Sequence, residues 1–204
     1  MPIQSENSSP PRHSLFNRLI GKLYLKFAGW KLEGQTPDLP KFLVVFAPHT
    51  TNWDLPHMLA VTYAMNFRTN WFGKREIFHW SCGWFFKWLG GIPIERRKST
   101  NMVAQIVTEI DAREQIVIGI APEGTRSKAE YWKSGFYHIA HQAGIPLVLG
   151  YLDYARKAGG LGPVLYPSGD IAADMQVIAD FYKDITPRYP QAVGKVAIRP
   201  QGAG

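Results

Sequence analysis

Three short apolar runs constrain this chain more than any other feature. Phe42 to Ala47, Gln115 to Ala121 and Pro146 to Tyr151 are rich in aliphatic residues and bounded by proline or glycine. Runs this short fit strands buried on both faces better than helices. Between them lie segments with helical spacing. One is capped by Asn52 or Asp54 and runs through Met58, Leu59, Val61 and Thr62 towards Asn66; others cover Thr100 to Ala112 and Ser134 to Ala143. Further alternation is expected as a strand near Arg68 to Gly73, an aromatic helix from His79 to Leu89 and a strand from Ile92 to Glu95. Strands alternating with helices imply an α/β fold with a mainly parallel or mixed central sheet flanked by helices. At 204 residues the chain builds one such core, a single domain.

The first 13 residues are polar, with Pro10 and Pro11 after two serines, and are expected to form a flexible tail before a domain spanning residues 14–204. Ser14 can cap the next helix. From Leu15 to Trp30, Leu15, Phe16, Leu19, Ile20, Leu23 and Phe27 recur at three and four, with Arg18, Lys22 and Lys26 among them. That is an N-terminal basic amphipathic helix, and its apolar stripe serves a packed core and a membrane surface equally well. No apolar run reaches the length needed to cross a bilayer, so membrane contact is expected to be peripheral. The formal charge of +7 favours an anionic partner without choosing one. A lone cysteine, Cys82, excludes an internal disulfide and a cysteine-based zinc site, and suits a reducing, cytosolic environment. Arg156 to Pro163, with three glycines, is expected to be a flexible surface loop.

Chemistry concentrates where two of the strands end. After Phe42 to Ala47 comes Pro48-His49-Thr50-Thr51-Asn52-Trp53-Asp54. A histidine there, with a carboxylate five residues on at a helix start, lets Asp54 turn back and hold an imidazole that takes a proton from an alcohol. Alone, this spacing more often marks a loop histidine and an N-cap. After Gln115 to Ala121 comes Pro122-Glu123-Gly124-Thr125-Arg126-Ser127, a tight turn whose glycine admits close backbone approach and whose arginine can fork onto an anion; a plain turn is the ordinary alternative. His138 and His141, three apart, lack a third ligand at a recognised spacing, so no metal site is expected, and His57 and His79 have no better claim.

Together the two junctions resemble the phospholipid and glycerol acyltransferase family, whose best known members acylate lysophosphatidate. Gly91 to Arg96 resembles that family's glycine, apolar, acid, arginine block; Gly144 to Val148 its proline-containing fourth block; and Gly162 to Ile171 its closing strand. The resemblance implies that His49 is the general base and Asp54 its orienter, that Arg96 and Arg126 anchor the acceptor's phosphate, and that Glu123, Gly124 and Thr125 shape the acceptor site. A backbone N–H at Gly124 or Thr125 is the candidate oxyanion donor. The implied reaction moves a fatty acyl group from an acyl carrier protein or coenzyme A thioester to the free hydroxyl of 1-acyl-sn-glycerol-3-phosphate, in phospholipid biosynthesis at the cytosolic face of a membrane. No cofactor beyond the acyl donor is implied, and Ser127 is not a nucleophile.

This chain departs from the family pattern at Pro48, Thr51, Pro93, Glu95 and Ala121, which bears on acceptor and chain-length preference. The same chemistry on another lysolipid, a lysophospholipid or an acylated amino acid, is a near alternative. A catalytically silent module binding anionic lipid or single-stranded nucleic acid is the remote one, disfavoured by the His49 and Asp54 pair, so no nucleic-acid partner is expected. Between Trp71 and Trp88, aromatics interleaved with Lys74, Arg75 and Lys87 suit either core packing or the headgroup region of an anionic bilayer.

Overall fold

A computed structural model describes residues 9–79, 83–95, 99–126 and 128–199. Arg96, Cys82, Trp80 and Ser127 lie outside the described residues. Seven strands and six α-helices are described. In chain order they are α1 (Leu15–Ala28), β1 (Lys31–Glu33), β2 (Lys41–Phe46), α2 (Asp54–Ala64), β3 (Trp71–Lys74) and α3 (Gly83–Trp88). After them come β4 (Gly91–Ile94), α4 (Ser99–Asp111), β5 (Ile116–Ile120), α5 (Gly135–Gln142), β6 (Leu147–Asp153), β7 (Ala158–Leu165) and α6 (Ile171–Tyr182).

The main sheet has the order β1-β7-β6-β2-β5, parallel throughout except for the antiparallel β6–β7 pair. Strands β3 and β4 form a parallel pair that a bridge from Asn70 to Ile118 ties to the β5 edge. The α/β architecture with a mixed central sheet is thus present. Its central strands are buried on both faces, which is why they read as unbroken apolar runs. Leu43 and Val45 of β2, with Ile116, Ile118, Leu147 and Leu149, meet α4, α5 and α6 on one face. Phe42, Val44 and Phe46, with Val117, Val148 and Leu161, form the core on the other.

Helix α1 is capped as expected: Ser14 Oγ accepts the Asn17 N–H at 3.2 Å, and Gly29 closes the helix in the left-handed region. The stripe read from the sequence is not its packing face. Leu25 is buried, and Tyr24 and Ala28 pack with Ala60, Val61 and Ala64 of α2. A Cβ on Gly21 would lie 2.7 Å from the Ala60 carbonyl oxygen and the Ala64 nitrogen, so glycine is what lets the two helices approach. Leu15, Phe16, Leu19, Ile20, Leu23 and Phe27 remain exposed, Phe27 at 86%.

Three expectations need correction. Arg156 to Pro163 is not a loop, because β7 begins at Ala158 and its first four residues are buried. Gly160 lies so close to Glu33 of β1 that a Cβ there would meet its carbonyl oxygen at 1.8 Å, so the glycines serve pairing rather than mobility. The closing strand accordingly starts earlier than Gly162 and ends at Leu165, and Ile171 opens α6 instead, capped by Asp170, whose carboxylate accepts the N–H groups of Ala172 and Ala173. The inner end of the expected tail is packed: Pro10 is buried, Pro11 accepts the Arg68 N–H at 2.7 Å, and the His13 ring meets Tyr63 at 4.3 Å.

Candidate active site

The β2 strand delivers His49 to the C-terminal edge of the sheet, and α2 starts at Asp54 immediately beyond the turn. Asp54 does not cap its own helix. It points backwards, and Oδ2 accepts from His49 Nδ1 at 3.0 Å, from the Thr50 N–H at 2.9 Å and from the Thr51 N–H at 3.0 Å. Oδ1 accepts from the Tyr154 hydroxyl at 2.7 Å. The carboxylate is 1% exposed, and burial alone would push its pKa up; the bonds from His49, Tyr154, Thr51 and Thr50 outweigh that and hold it below the usual carboxylate range. Because an ionised carboxylate only accepts, His49 donates through Nδ1, which leaves Nε2 as the ring's available base.

The second junction meets the first through Glu123. Its Oε1 accepts the His49 N–H at 3.0 Å, while Oε2 is buried with no hydrogen-bond partner among the described residues. Burial raises the Glu123 pKa, opposed by backbone N–H donors and by His49. Glu123 therefore fixes the His49 backbone from beneath, and Gly124, Thr125 and Arg126 form the exposed rim above it. Gly124 has φ 65°, as the tight turn requires, and its N–H is spent on the Ala121 carbonyl at 3.2 Å. That removes the Gly124 N–H as an oxyanion donor. Lys133 extends its side chain across this glycine, with Nζ 2.7 Å from where a Cβ would sit, which adds a second cation to the turn that carries Arg126.

Sequence spacing could not reveal Tyr154, exactly a hundred residues away in number but bonded to Asp54 by the return of β6. His57, Trp30 and Tyr154 pack edge-on or stacked around that bond, and the Tyr24 hydroxyl lies 3.0 Å from His57 Nδ1. Nor does spacing identify Tyr182, whose buried hydroxyl reaches the Val45 and Gly150 carbonyls at 2.7 and 3.0 Å and so ties α6 to the strand ends under the site. Among the described residues no three histidine, cysteine or acidic side chains converge as a metal site would require, and His138 and His141 flank Tyr137 at ring distances of 6.1 Å.

Two apolar cavities open beside the junctions. One, of about 370 Å³, runs along α2 between Leu55, Met58 and Leu59 and the facing Trp71, Phe86 and Leu89. The other, of about 440 Å³, passes between Phe72, Met102 and Phe136 and ends at Gly124 and Lys133.

A family model described as Acyltransferase matches residues 33–149, more than half of the chain and all of both junctions. The chain belongs to the acyltransferase family. Acyl transfer is therefore the chemistry of this fold. No curated protein matches it in sequence. Among solved structures it is similar to the 1-acyl-sn-glycerophosphate (LPA) acyltransferase PlsC from Thermotoga maritima, at 16% identity and a TM-score of 0.56. That match covers 85% of this chain and 80% of the other, so the shared fold extends beyond the family segment.

Proposed function

We propose that this acyltransferase moves a fatty acyl group from an acyl carrier protein or coenzyme A thioester to the free hydroxyl of 1-acyl-sn-glycerol-3-phosphate. The observation that carries the proposal is the His49–Asp54 bond, joined through Glu123 to a turn that bears Arg126 and that Lys133 crosses at Gly124. His49 Nε2 takes the proton of the acceptor hydroxyl as its oxygen attacks the thioester carbonyl. The imidazolium that forms is stabilised by Asp54 through Nδ1. Collapse of the tetrahedral intermediate breaks the carbon–sulfur bond, and the departing thiolate receives the proton from Nε2. A thioester already carries a good leaving group, so no covalent enzyme intermediate is needed.

The acceptor's phosphate suits the two cations at the Gly124 turn, with Arg126 free to bind two of its oxygens at once. The cavity that ends there suits the chain the acceptor already carries, and the groove along α2 suits the chain being transferred. Both substrates are amphipathic, which favours action at a membrane, and we assign the contact to the exposed stripe of α1 with Trp84, Phe85 and Trp88 of α3. No described helix is long and apolar enough to cross a bilayer, so this contact is peripheral in the proposal, at the cytosolic face.

The test is thiol release from acyl thioesters by the purified protein with a panel of lysolipids. Release that requires lysophosphatidate and disappears in His49→Ala, with folding intact, supports the proposal. Equal turnover by His49→Ala would remove the mechanism, and preference for an uncharged or zwitterionic acceptor would reassign the turn.

A further inference from the structure

The end of α2 remote from Asp54 borders a cavity of about 460 Å³ that the transfer chemistry does not use. Its wall brings Arg12, His13, Arg68 and Arg113 together with Ser14 and Asn17 of the α1 N-terminus. Arg113 is engaged by Glu109, one turn earlier on α4. Arg12 and Arg68 have no carboxylate within 4.0 Å among the described residues. The His13 Nε2 atom is buried without a hydrogen-bond partner among those residues, and burial together with Arg68 pushes its pKa down to about 4. Two arginines without a carboxylate partner among the described residues and the positive end of a helix thus share one recess, and His13, neutral at this pKa, adds no charge to it.

We propose that this recess binds the phosphate headgroup of an anionic phospholipid of the bilayer, at a site separate from the acceptor turn. The inference rests on the membrane contact proposed above. A lipid, rather than free phosphate, is the occupant because of what surrounds the recess. Leu15 and Phe16 stand exposed next to Ser14, and Trp88, 62% exposed, forms part of the wall itself. Apolar side chains beside a basic floor match the profile of a bilayer surface, where rings and aliphatic groups enter the hydrocarbon boundary and cations remain at phosphate depth. From Asp54 to Thr62 the helix advances about 12 Å, which separates this anion site from the catalytic pair.

The experiment is cosedimentation of the full chain with phosphatidylcholine vesicles, with and without phosphatidate. The wild type is expected to prefer phosphatidate vesicles. Arg12→Gln/Arg68→Gln is expected to lose about thirtyfold of that affinity, from two cations near the surface, while binding to phosphatidylcholine and transfer to detergent-dispersed lysophosphatidate stay unchanged. The same charge change at Lys195 and Arg199, outside the recess, is the control for non-specific attraction. The proposal is overturned if the wild type shows no preference, if the control pair loses as much as the recess pair, or if inorganic phosphate alone stabilises the wild type against heating while vesicles do not. Wild-type transfer in the same preparations separates the two conclusions: its absence sinks the functional reading, not the vesicle result.

Discussion

Asp54→Asn tests whether the carboxylate stabilises charge or only holds geometry. Asparagine can place its carbonyl oxygen where Oδ2 now accepts from His49, Thr50 and Thr51, and its amide nitrogen where Oδ1 now meets the Tyr154 hydroxyl, which can rotate to accept. The loop therefore survives and the negative charge does not. With charge centres about 4 Å apart and an effective dielectric constant of about 20, imidazolium and carboxylate attract by about 4 kcal/mol. Only 1% of Asp54 is exposed, so little of this is lost to solvent screening. Because the imidazolium exists only once the acceptor proton has moved, the loss falls on kcat, about a thousandfold, with the KM for acceptor nearly unchanged. Single-turnover thiol release at saturating acceptor measures it. A fall of less than tenfold would refute charge stabilisation by Asp54. A second readout follows from the depressed pKa: the stability Asp54 supplies is present above the ordinary carboxylate range and lost as pH falls through its lowered folded value. Asp54→Asn should lack that segment of the acid unfolding curve.

Tyr154→Phe removes one charge-assisted bond to Asp54 and should lower kcat about tenfold while raising the Asp54 pKa, visible as a shift of the acid limb of the pH–rate profile. Glu123→Gln keeps a carbonyl for the His49 N–H and removes a buried carboxylate. Because burial raises the Glu123 pKa, the wild type loses stability as pH rises from the unfolded value through the folded one; the variant should be more stable at neutral pH by about 1 kcal/mol and lack that slope in thermal melts. Gly21→Ala gains about 1 kcal/mol of helix propensity but drives a Cβ into the backbone of α2, at a cost of about 1–3 kcal/mol, so a lower Tm and faster proteolysis within α1 are expected; an unchanged Tm would show that the helices can part freely.

The bond between His49 and Asp54 was legible because both residues sit in one turn, where five residues suffice to fix their meeting. The central strands were legible because double burial leaves no room for polar residues in Phe42 to Ala47 or Ile116 to Ile120. Strand β7 was hidden by its glycines, which ordinarily mark loops but here answer a contact with β1 that pairs positions more than a hundred residues apart. Tyr154 and Lys133 were hidden for the same reason: each reaches the site through tertiary return, with no local pattern to announce it. Helix α6 did carry signals, an Asp170 cap and buried Met175, Ile178 and Tyr182 at helical spacing, but it follows directly on a strand ending and is masked by it. The stripe of α1 shows the opposite difficulty. Amphipathicity marks an apolar face, and the burial of Leu25 together with the Gly21 contact establishes that the face points away from the core.

Under the proposed membrane contact, the packing of α1 on α2 also sets the height of the proposed reaction. Helix α2 lies directly against α1, and the first residue of α2 is Asp54. Packed helices stand about 8–10 Å apart, so a bilayer that takes up the outer face of α1 would hold His49 and Asp54 roughly one helix diameter above it. In the proposed reaction a lysolipid would then have only to rise by its headgroup to present its hydroxyl to His49, with much of its chain still in the leaflet, and most of the work of extracting a lipid from the membrane would never be done.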